Sequence, residues 1–468
     1  MSTLDKSKRI SPWRRGGIIF FCFLSFYSIL ALVKLYNQAD FLKSDPKVYY
    51  QLASNIKEGN GFSVAGKEPY SPDLINMPLF PLFISLFMYV FGNSFHIAII
   101  IFMHCILACL TLLILYKYLN LVSEGKNDSG NLIAVIIFGI SPTYITLTLS
   151  LYSEILFLFI YIIALCLLIY TFKNSLRPKL HQVRGHFFFV LPLMCGIFFG
   201  LSTLTRSVSL FLIGIIFIFL LINKKILIAI LVTSGFMLSI APWLLRNYTV
   251  FHRFELSNNG YLTFYKCTAE HLISPEELAE YQQQNSIVVN EGINQDSIKP
   301  MEYYDLNDAA NAKHLTRIIL KKKWKIYILK TVQNIIDYPI SRGNNILTDI
   351  FSYDYEYYRK IPINNKIKDF KFINILIGVF YSVLYKLILY VSIIFGVVIA
   401  IVRRKSIEKR TYIFIFLISY YFIIITSATV LNDLDVARLV LPSNLGLMAF
   451  AAIAAQKILK LESKYKRI

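Results

Sequence analysis

The sequence predicts an all-α polytopic membrane protein with about ten transmembrane helices. Of the 468 residues, 56% are hydrophobic and 16% are charged, whereas about a quarter of the residues of an average soluble domain are charged. The apolar residues fall in blocks of roughly 15 to 25, the helix length that crosses about 30 Å of hydrocarbon. Because these blocks lack a period-two alternation, helices rather than barrel strands are expected to span the membrane.

The ten predicted spans follow the apolar blocks in chain order. They lie at 17–36, 94–119, 131–148, 152–172, 187–204, 208–222, 226–242, 372–402, 411–428 and 439–456. Segment 372–402 is long and contains Lys386, so we interpret it as a tilted span preceded by a juxtamembrane turn. Leu79–Phe91 is too short for a full crossing and is interpreted as an interfacial or partly immersed helix.

The net charge of +20 is explained by membrane topology. With the N-terminal tail inside, one side of the membrane receives the basic clusters, which lie at 6–15, 117–126, 173–184, 224–225, 403–410 and 457–467. The short loops on the other side hold only Arg206 and Arg438, so the positive-inside rule predicts cytoplasmic termini. The long outer loop has nearly equal numbers of basic and acidic residues, which argues against a nucleic-acid partner.

This topology divides the chain into three regions. Residues 1–242 form an N-terminal transmembrane module, 243–370 a larger, mainly helical extracytoplasmic region between spans seven and eight, and 371–468 the C-terminal transmembrane helices. The first outer loop, 37–93, contains an amphipathic juxtamembrane helix from Pro46 to Glu58. Asp45 is placed to cap this helix, and Gly59 and Gly61 are placed to end it.

Unusual charged residues gather in the outer loops. The first loop contains Asp45, with Asp40 as a reserve acid, and Lys67. The following loops contain Glu154, Arg206, Arg246 and Arg438. Because acids and arginines from separate loops share one side and one depth, we expect a site at the outer mouth of the helix bundle.

Several segments, in their order, resemble the GT-C superfamily of integral-membrane glycosyltransferases, and within it the protein O-mannosyltransferase and aminoarabinose-transferase branch with its bacterial relatives. The segments are DPKVYYQLASNIKEGNGFS, PLFPLFISLFMYVFG, SPTYITLTLSLYSEIL, GLSTLTRS, APWLLRNYTVF and ARLVLPS. The resemblance covers roughly residues 17–260 well and the C-terminal span weakly. It implies a polyprenyl-phosphate sugar donor, an extracytoplasmic acceptor and a location in a bacterial inner membrane, with the site facing the periplasm.

The resemblance also implies a catalytic acid in the first outer loop, which Asp45 matches by motif position. Protein mannosyltransferases carry an Asp-Glu pair there, whereas Pro46 follows Asp45 in this chain. This departure argues against protein mannosylation. A carboxylate at this position would accept the proton of the acceptor hydroxyl, although a plain helix cap explains an Asp-Pro pair equally well.

The other candidate residues also have a structural interpretation beside the functional one. Glu154 could orient the acceptor or join a divalent metal with Asp45, or it could offset the helix dipole. Arg206, Arg246 and Arg438 could hold phosphate oxygens in bidentate pairs, or they could extend to lipid headgroups. Lys67 could contact the donor phosphate, but a solvated turn explains it more simply.

Two other functions fit parts of the pattern. An O-antigen-type polymerase or ligase would also have about ten spans and a large outer loop with arginines, but the acid and amphipathic helix directly after the first span favour transfer from a monosaccharide carrier. A transporter would place ionisable residues near mid-membrane and show two related halves. Only Lys386 is expected to be buried within a predicted span, and the sequence shows no internal repeat.

Overall fold

The computed structural model describes residues 12–36, 42, 45–92, 96–176, 185–285, 306–337, 370–402, 406–430 and 436–465, and these residues fold into helices and connecting turns. The helices are α1 Pro12–Tyr36, α2 Asp45–Glu58, α3 Leu79–Phe91, α4 His96–Ser123, α5 Asp128–Gly139, α6 Pro142–Thr148, α7 Glu154–Ser175, α8 Gly185–Thr205, α9 Leu212–Ile222, α10 Ile226–Phe251, α11 Asn259–Phe264, α12 Pro275–Gln284, α13 Leu306–Asp337, α14 Phe370–Val402, α15 Ser406–Thr429, α16 Val436–Leu439 and α17 Leu441–Tyr465.

Five helices in the described part of the chain are long and apolar enough to cross a membrane, and they lie in α1, α4, α7, α10 and α15. A sixth candidate is the pair α5 and α6, which is bent by 60° at Ile140–Ser141. The bend has a local cause, because Pro142 starts a new helix whose first turn is capped by the Ser141 hydroxyl. The described part of the chain is therefore all-helical and belongs to an integral membrane protein, while the count of ten spans stays a prediction.

The apolar helices pack into one bundle. α4 contacts α1, α5 and α7, α7 contacts α8, and α8 contacts α10. α17, the last described helix, packs against α5, α14 and α15 and so joins the C-terminal helices to the N-terminal ones. α7 is the most enclosed of the five span candidates, so its first residue, Glu154, is held in the protein interior rather than against lipid.

Two segments differ from the sequence prediction. The span predicted to end at Pro242 continues as a helix to Phe251, where His252 adopts a left-handed conformation and ends it. Proline is tolerated in membrane helices because neighbouring groups satisfy the carbonyl that it leaves free. Segment 372–402 lies in one continuous helix, α14, which already begins at Phe370. The described residues therefore show no juxtamembrane turn directly before the predicted span.

Close helix packing depends on small residues. An added Cβ at Gly235 of α10 would lie 2.1 Å from the Leu193 carbonyl oxygen of α8, and one at Gly196 would lie 1.9 Å from the Val232 carbonyl oxygen. Small residues at such crossings allow two backbones in a membrane protein to approach closely. α8 and α10 are therefore held in direct backbone contact.

We expect Gly235→Ala to destabilise the protein by about 1–3 kcal/mol, because the new methyl group forces the two backbones apart. Gly214→Ala is the matched control, since a Cβ at Gly214 of α9 meets nothing within 4 Å and alanine favours a helix interior. Thermal unfolding of the purified protein should show a lower midpoint for the first variant only. Equal midpoints for both variants would contradict the close contact.

Residues 259–285 and 306–337 form a small helical unit, here called the helical cap. It has its own apolar core around Leu262, Tyr265, Leu315 and Ile319. The cap is fixed to the end of α15, where Thr268 donates a hydrogen bond to the Thr429 carbonyl (2.7 Å) and other cap side chains bond to nearby carbonyls. The cap therefore covers the end of the bundle at which α15 terminates.

Candidate functional site

Four of the charged residues singled out in the sequence meet at one end of the bundle. Asp45 is the first residue of α2, and Glu154 is the first residue of α7. Arg206 has an extended backbone and separates α8 from the 3₁₀ turn Ser207–Ser209. Arg438 lies on the short helix α16. Each side chain thus comes from a helix end or a break, where the chain leaves the apolar bundle.

These four side chains form a chain of ion pairs. Arg438 Nη1 lies 2.9 Å from Asp45 Oδ2, and Arg438 Nε lies 3.7 Å from Glu154 Oε1. Arg206 Nη1 lies 2.5 Å from the same Glu154 oxygen. Glu154 therefore lies between the two guanidinium groups, and we call the set of Asp45, Glu154, Arg206 and Arg438 the charged cluster.

Exposure differs along the charged cluster. The Glu154 side chain is 4% exposed, whereas that of Asp45 is 42% exposed. Arg438 lies over the Tyr152 ring, with its Cζ 5.1 Å from the ring centroid, which is a favourable cation–π arrangement. The buried Glu154 is suited to holding the arginines in place, and Asp45 is the carboxylate that a substrate can reach.

Tyr49 belongs to this site and was not selected from the sequence. It follows Asp45 by one helical turn, and its ring packs edge-on against Phe80 (5.1 Å between centroids). Burial, followed by the charge of Asp45, raises the pKa of Tyr49 to about 12. The phenol therefore stays protonated and can donate a hydrogen bond. The spacing from Asp45 to Tyr49 is the available signal in the sequence, but an aromatic residue on an amphipathic helix is explained equally well by the apolar face of that helix.

A divalent metal does not suit the carboxylates as they are placed. Asp45 and Glu154 both face Arg438, and Glu154 also faces Arg206. The guanidinium groups supply the positive charge that a cation would bring. Within the described residues, no group of three or more His, Cys, Asp or Glu side chains could hold a metal ion. No step of the chemistry is therefore assigned to a metal.

A cavity of about 870 Å³ adjoins the charged cluster, and we call it the main cavity. Tyr49 and Arg206 line one part of it, and Lys313 and Arg317 of the helical cap line another. Much of the remaining wall is apolar, from α10, α15 and the cap. Phe211 lines the cavity and is 66% exposed, so the cavity reaches the apolar surface of the bundle at this residue.

The structure places Arg246 away from the charged cluster. Its Nη1 donates hydrogen bonds to the Asp73 carbonyl (2.8 Å) and to Asn247 Oδ1 (2.9 Å), and its guanidinium stacks near Trp243 and Phe62. Arg246 thus connects α10 to the loop between α2 and α3. Because α10 continues through Pro242, Arg246 contacts this loop and not the charged cluster, and phosphate binding by Arg246 stays a prediction.

Asp73 anchors that loop. Its carboxylate accepts hydrogen bonds from the backbone N–H groups of Ile75 (2.9 Å) and Asn76 (3.0 Å). Burial raises the pKa of Asp73 to about 6, although these hydrogen bonds and Arg246 oppose the rise. Asp73 therefore binds a proton more tightly in the folded protein than in the unfolded chain.

Stability from protonated Asp73 should be fully present below the ordinary pKa of 3.8 and lost as the pH rises through about 6. Asp73→Asn keeps a neutral side chain at every pH. The wild-type protein should therefore lose thermal stability relative to this variant by about 2–3 kcal/mol between about pH 4 and pH 7.5. A difference in midpoint that does not change with pH would exclude the burial effect.

Lys67, the other described candidate of the first loop, forms no ion pair with the charged cluster. Lys67 is exposed in the turn before Pro69, as the solvated-turn interpretation expects. Asp40 lies outside the described residues. The loop and cap residues Glu255, Lys313 and Arg317 line the main cavity, and sequence reasoning did not single them out, because a charged residue on a surface helix gives no signal of the surface it faces.

No protein-family model matches the sequence, and no curated protein matches it significantly. Among solved structures, the fold is similar to the oligosaccharyltransferase of Archaeoglobus fulgidus tethered with an acceptor peptide, at 13% identity over 95% of this chain and with a TM-score of 0.49. The chain spans about half the length of that protein, since it covers 50% of it.

Two further structures show related likenesses. The archaeal oligosaccharyltransferase AglB from the same organism, in complex with an inhibitory peptide and a dolichol-phosphate, matches at 13% identity over 96% of this chain and 51% of its own, with a TM-score of 0.46. ArnT from Cupriavidus metallidurans, bound to undecaprenyl phosphate, matches at 11% identity over 93% of this chain and 77% of its own, with a TM-score of 0.40. These proteins are GT-C superfamily glycosyltransferases, the superfamily that the sequence resembles. At such identities and TM-scores the likeness carries no conclusion about substrates.

Proposed function

We propose that this protein transfers a sugar from a polyprenyl-phosphate carrier to an extracytoplasmic acceptor. The observation that carries the proposal is the charged cluster beside the main cavity, where a reachable carboxylate and two ordered guanidinium groups meet. A cavity with polar groups at one part and apolar walls elsewhere suits a ligand with a charged head and a hydrocarbon chain.

The reaction joins the acceptor oxygen to the anomeric carbon of the sugar, breaks the bond from that carbon to the phosphate oxygen, and leaves the electron pair on the lipid phosphate. Asp45 would accept the proton of the acceptor hydroxyl. Arg206 and Arg438 would stabilise the negative charge that develops on the departing phosphate, which Arg does well through paired hydrogen bonds. Glu154 would hold both guanidinium groups in position.

Binding of the donor phosphate would also release Asp45 from its ion pair with Arg438. Arg438 contacts Asp45, and a phosphate would compete for the same guanidinium. When the phosphate takes this position, the carboxylate is released towards the acceptor. Tyr49, which stays protonated next to Asp45, would orient the released carboxylate or the sugar by donating a hydrogen bond.

A donor panel tests the proposal directly. The purified full chain in lipid nanodiscs, supplied with a cell-envelope extract as the source of acceptor, should release undecaprenyl phosphate from at least one of several undecaprenyl-phosphate sugars, including a hexose, a pentose and an amino sugar. Thin-layer chromatography of the labelled lipid measures the release. Turnover of diphosphate-linked oligosaccharides alone would favour a polymerase or ligase instead, and turnover of neither class would overturn the transferase proposal.

The proposal includes the membrane arrangement deduced from the sequence. We propose ten spans, cytoplasmic termini and a bacterial inner membrane, with residues 1–242 and 371–468 forming the two transmembrane modules. Residues 243–370, which contain the helical cap, and the first loop with Asp45 would face the outside, because every basic cluster then lies inside.

Cysteine labelling in whole cells tests this orientation. With a membrane-impermeant maleimide, Asn259→Cys should be labelled from outside, since Asn259 is exposed at the start of the helical cap. Ser406→Cys, at the start of α15 beside the basic residues 403–410, should be labelled only after the cells are opened. Labelling of Ser406→Cys in intact cells would contradict the orientation.

A further inference from the structure

A second pocket lies between the helical cap and the segment that follows α10. It has a volume of about 480 Å³, and its charged lining residues include Arg253, Glu255, Lys313 and Arg317. Ala309 and Ala310 of α13 form part of its wall, and their short side chains leave the space unfilled. We call it the basic pocket.

Two cations of the helical cap, Lys313 and Arg317, face the basic pocket. Lys313 and Arg317 are one helical turn apart and therefore share a face of α13, while Leu315 and Ile319 are buried in the core of the cap. The Lys313 ammonium donates a hydrogen bond to the Tyr261 hydroxyl (3.1 Å) and lies 4.2 Å from the centroid of that ring. The buried face of α13 fixes the orientation of the helix, and Tyr261 fixes the ammonium.

The basic pocket carries more positive than negative charge. Three permanent cations, Arg253, Lys313 and Arg317, line it together with one carboxylate, Glu255. Within the described part of the chain, none of the three cations forms an ion pair, whereas Lys323 on the same helix pairs with Glu277 at 2.8 Å. A concave site with an excess of one charge attracts ligands of the opposite charge.

The basic pocket is continuous with the main cavity, because Glu255, Tyr261, Lys313 and Arg317 line both. No member of the charged cluster lines the basic pocket. The phosphate of a monophosphate donor is bonded to the anomeric carbon, so it has to lie at the charged cluster where the transfer would occur. The basic pocket is therefore placed for the other substrate.

We propose that the basic pocket binds a phosphate or carboxylate group of the acceptor, which makes the acceptor an anionic glycan or glycolipid. The identification of this ligand as the acceptor rests on the proposed transferase function. Phe254, which lines both cavities and is 66% exposed, adds a flat apolar surface for a sugar ring. The combination of cations and exposed aromatic surface suits a charged sugar better than a neutral one.

The test uses glucose 6-phosphate, galacturonic acid and neutral glucose as probes for the full chain in nanodiscs. Saturation-transfer NMR titrations should show binding of the two anionic sugars and little binding of glucose. Lys313→Gln combined with Arg317→Gln should weaken anionic binding by about tenfold or more, since charge-assisted hydrogen bonds are lost. Lys325→Gln is the matched control, because Lys325 is exposed on the same helix and does not line the pocket.

Lys325→Gln, which lines neither cavity, should leave the binding of undecaprenyl phosphate unchanged. The double variant should lose affinity for glucose 6-phosphate by a larger factor than affinity for undecaprenyl phosphate, and a larger loss of undecaprenyl phosphate affinity would assign the pocket to the donor and overturn the acceptor proposal. Equal affinity of the wild-type protein and the double variant for glucose 6-phosphate would overturn the anion site itself. These binding titrations do not require turnover, so a failure of the donor panel would overturn the transferase function without deciding the anion site.

Discussion

Asp45→Asn should lower turnover of a polyprenyl-phosphate sugar by roughly two to four orders of magnitude, while folding and yield are retained. The amide cannot accept the acceptor proton, and general-base catalysis contributes about this factor. Asparagine suits the start of a helix about as well as aspartate, so α2 should still form. Arg438 also keeps Glu154 as a neighbour, so the side chain that loses its partner is not left without a carboxylate.

Two control variants separate catalysis from a general loss of charge. Glu58→Gln removes a carboxylate from the exposed far end of the same helix and should leave turnover unchanged. Asp40→Asn, in the same outer loop, should be much milder than Asp45→Asn. Release of undecaprenyl phosphate measures all three variants, and full activity of Asp45→Asn would reduce Asp45 to a structural residue and make Glu154 the next candidate base.

Four of the charged residues selected from the sequence meet in the structure, because membrane topology limits where charge can lie. Asp45, Glu154, Arg206 and Arg438 are separated by up to several hundred residues, yet each lies at a helix end or a break on the same side of the bundle. A charge at such a position is costly against lipid, so it is expected to find a partner of opposite sign. The observed ion pairs agree with that expectation, while the catalytic roles stay proposals.

Arg246 shows where this reasoning was insufficient. Its predicted position depended on a helix break at Pro242, but α10 continues for more than two further turns to Phe251. Whether a proline ends a membrane helix depends on partners for the freed carbonyl, and those partners come from other helices. The sequence around Pro242 does not contain that information.

The basic pocket shows a second limit of prediction from the sequence. Lys313 and Arg317 lie on a helix whose exposed and buried faces can be deduced from periodicity, but the partner surface cannot. Only the packing of the cap against the segment after α10 brings Arg253 and Glu255 opposite these cations. Charges on an ordinary surface helix and charges in a pocket therefore look the same in the sequence.

Glu154→Gln should destabilise the protein by about 3–5 kcal/mol, because it leaves the largely buried Arg206 guanidinium beside a neutral amide and removes the second carboxylate from Arg438, which keeps Asp45. Arg206 and Arg438 have side chains only 18% and 15% exposed, so water can replace little of the lost attraction. A marked fall in the thermal midpoint of the purified protein would report this effect. A loss of unfolding free energy of no more than about 0.5 kcal/mol, the change expected at an exposed site, would contradict the buried ion pair.

The double variant Glu154→Gln with Arg206→Gln then separates a structural pair from a phosphate site. Removing both charges should restore part of the stability, since residues in direct contact couple by about 0.5–3 kcal/mol. If Arg206 holds the departing phosphate, turnover of the polyprenyl-phosphate sugar should stay about 10²- to 10³-fold below wild type in this restabilised protein. If turnover instead recovers with stability, the pair of Arg206 and Glu154 serves only to hold the helix ends together, and Arg438 becomes the remaining arginine able to bind the donor phosphate.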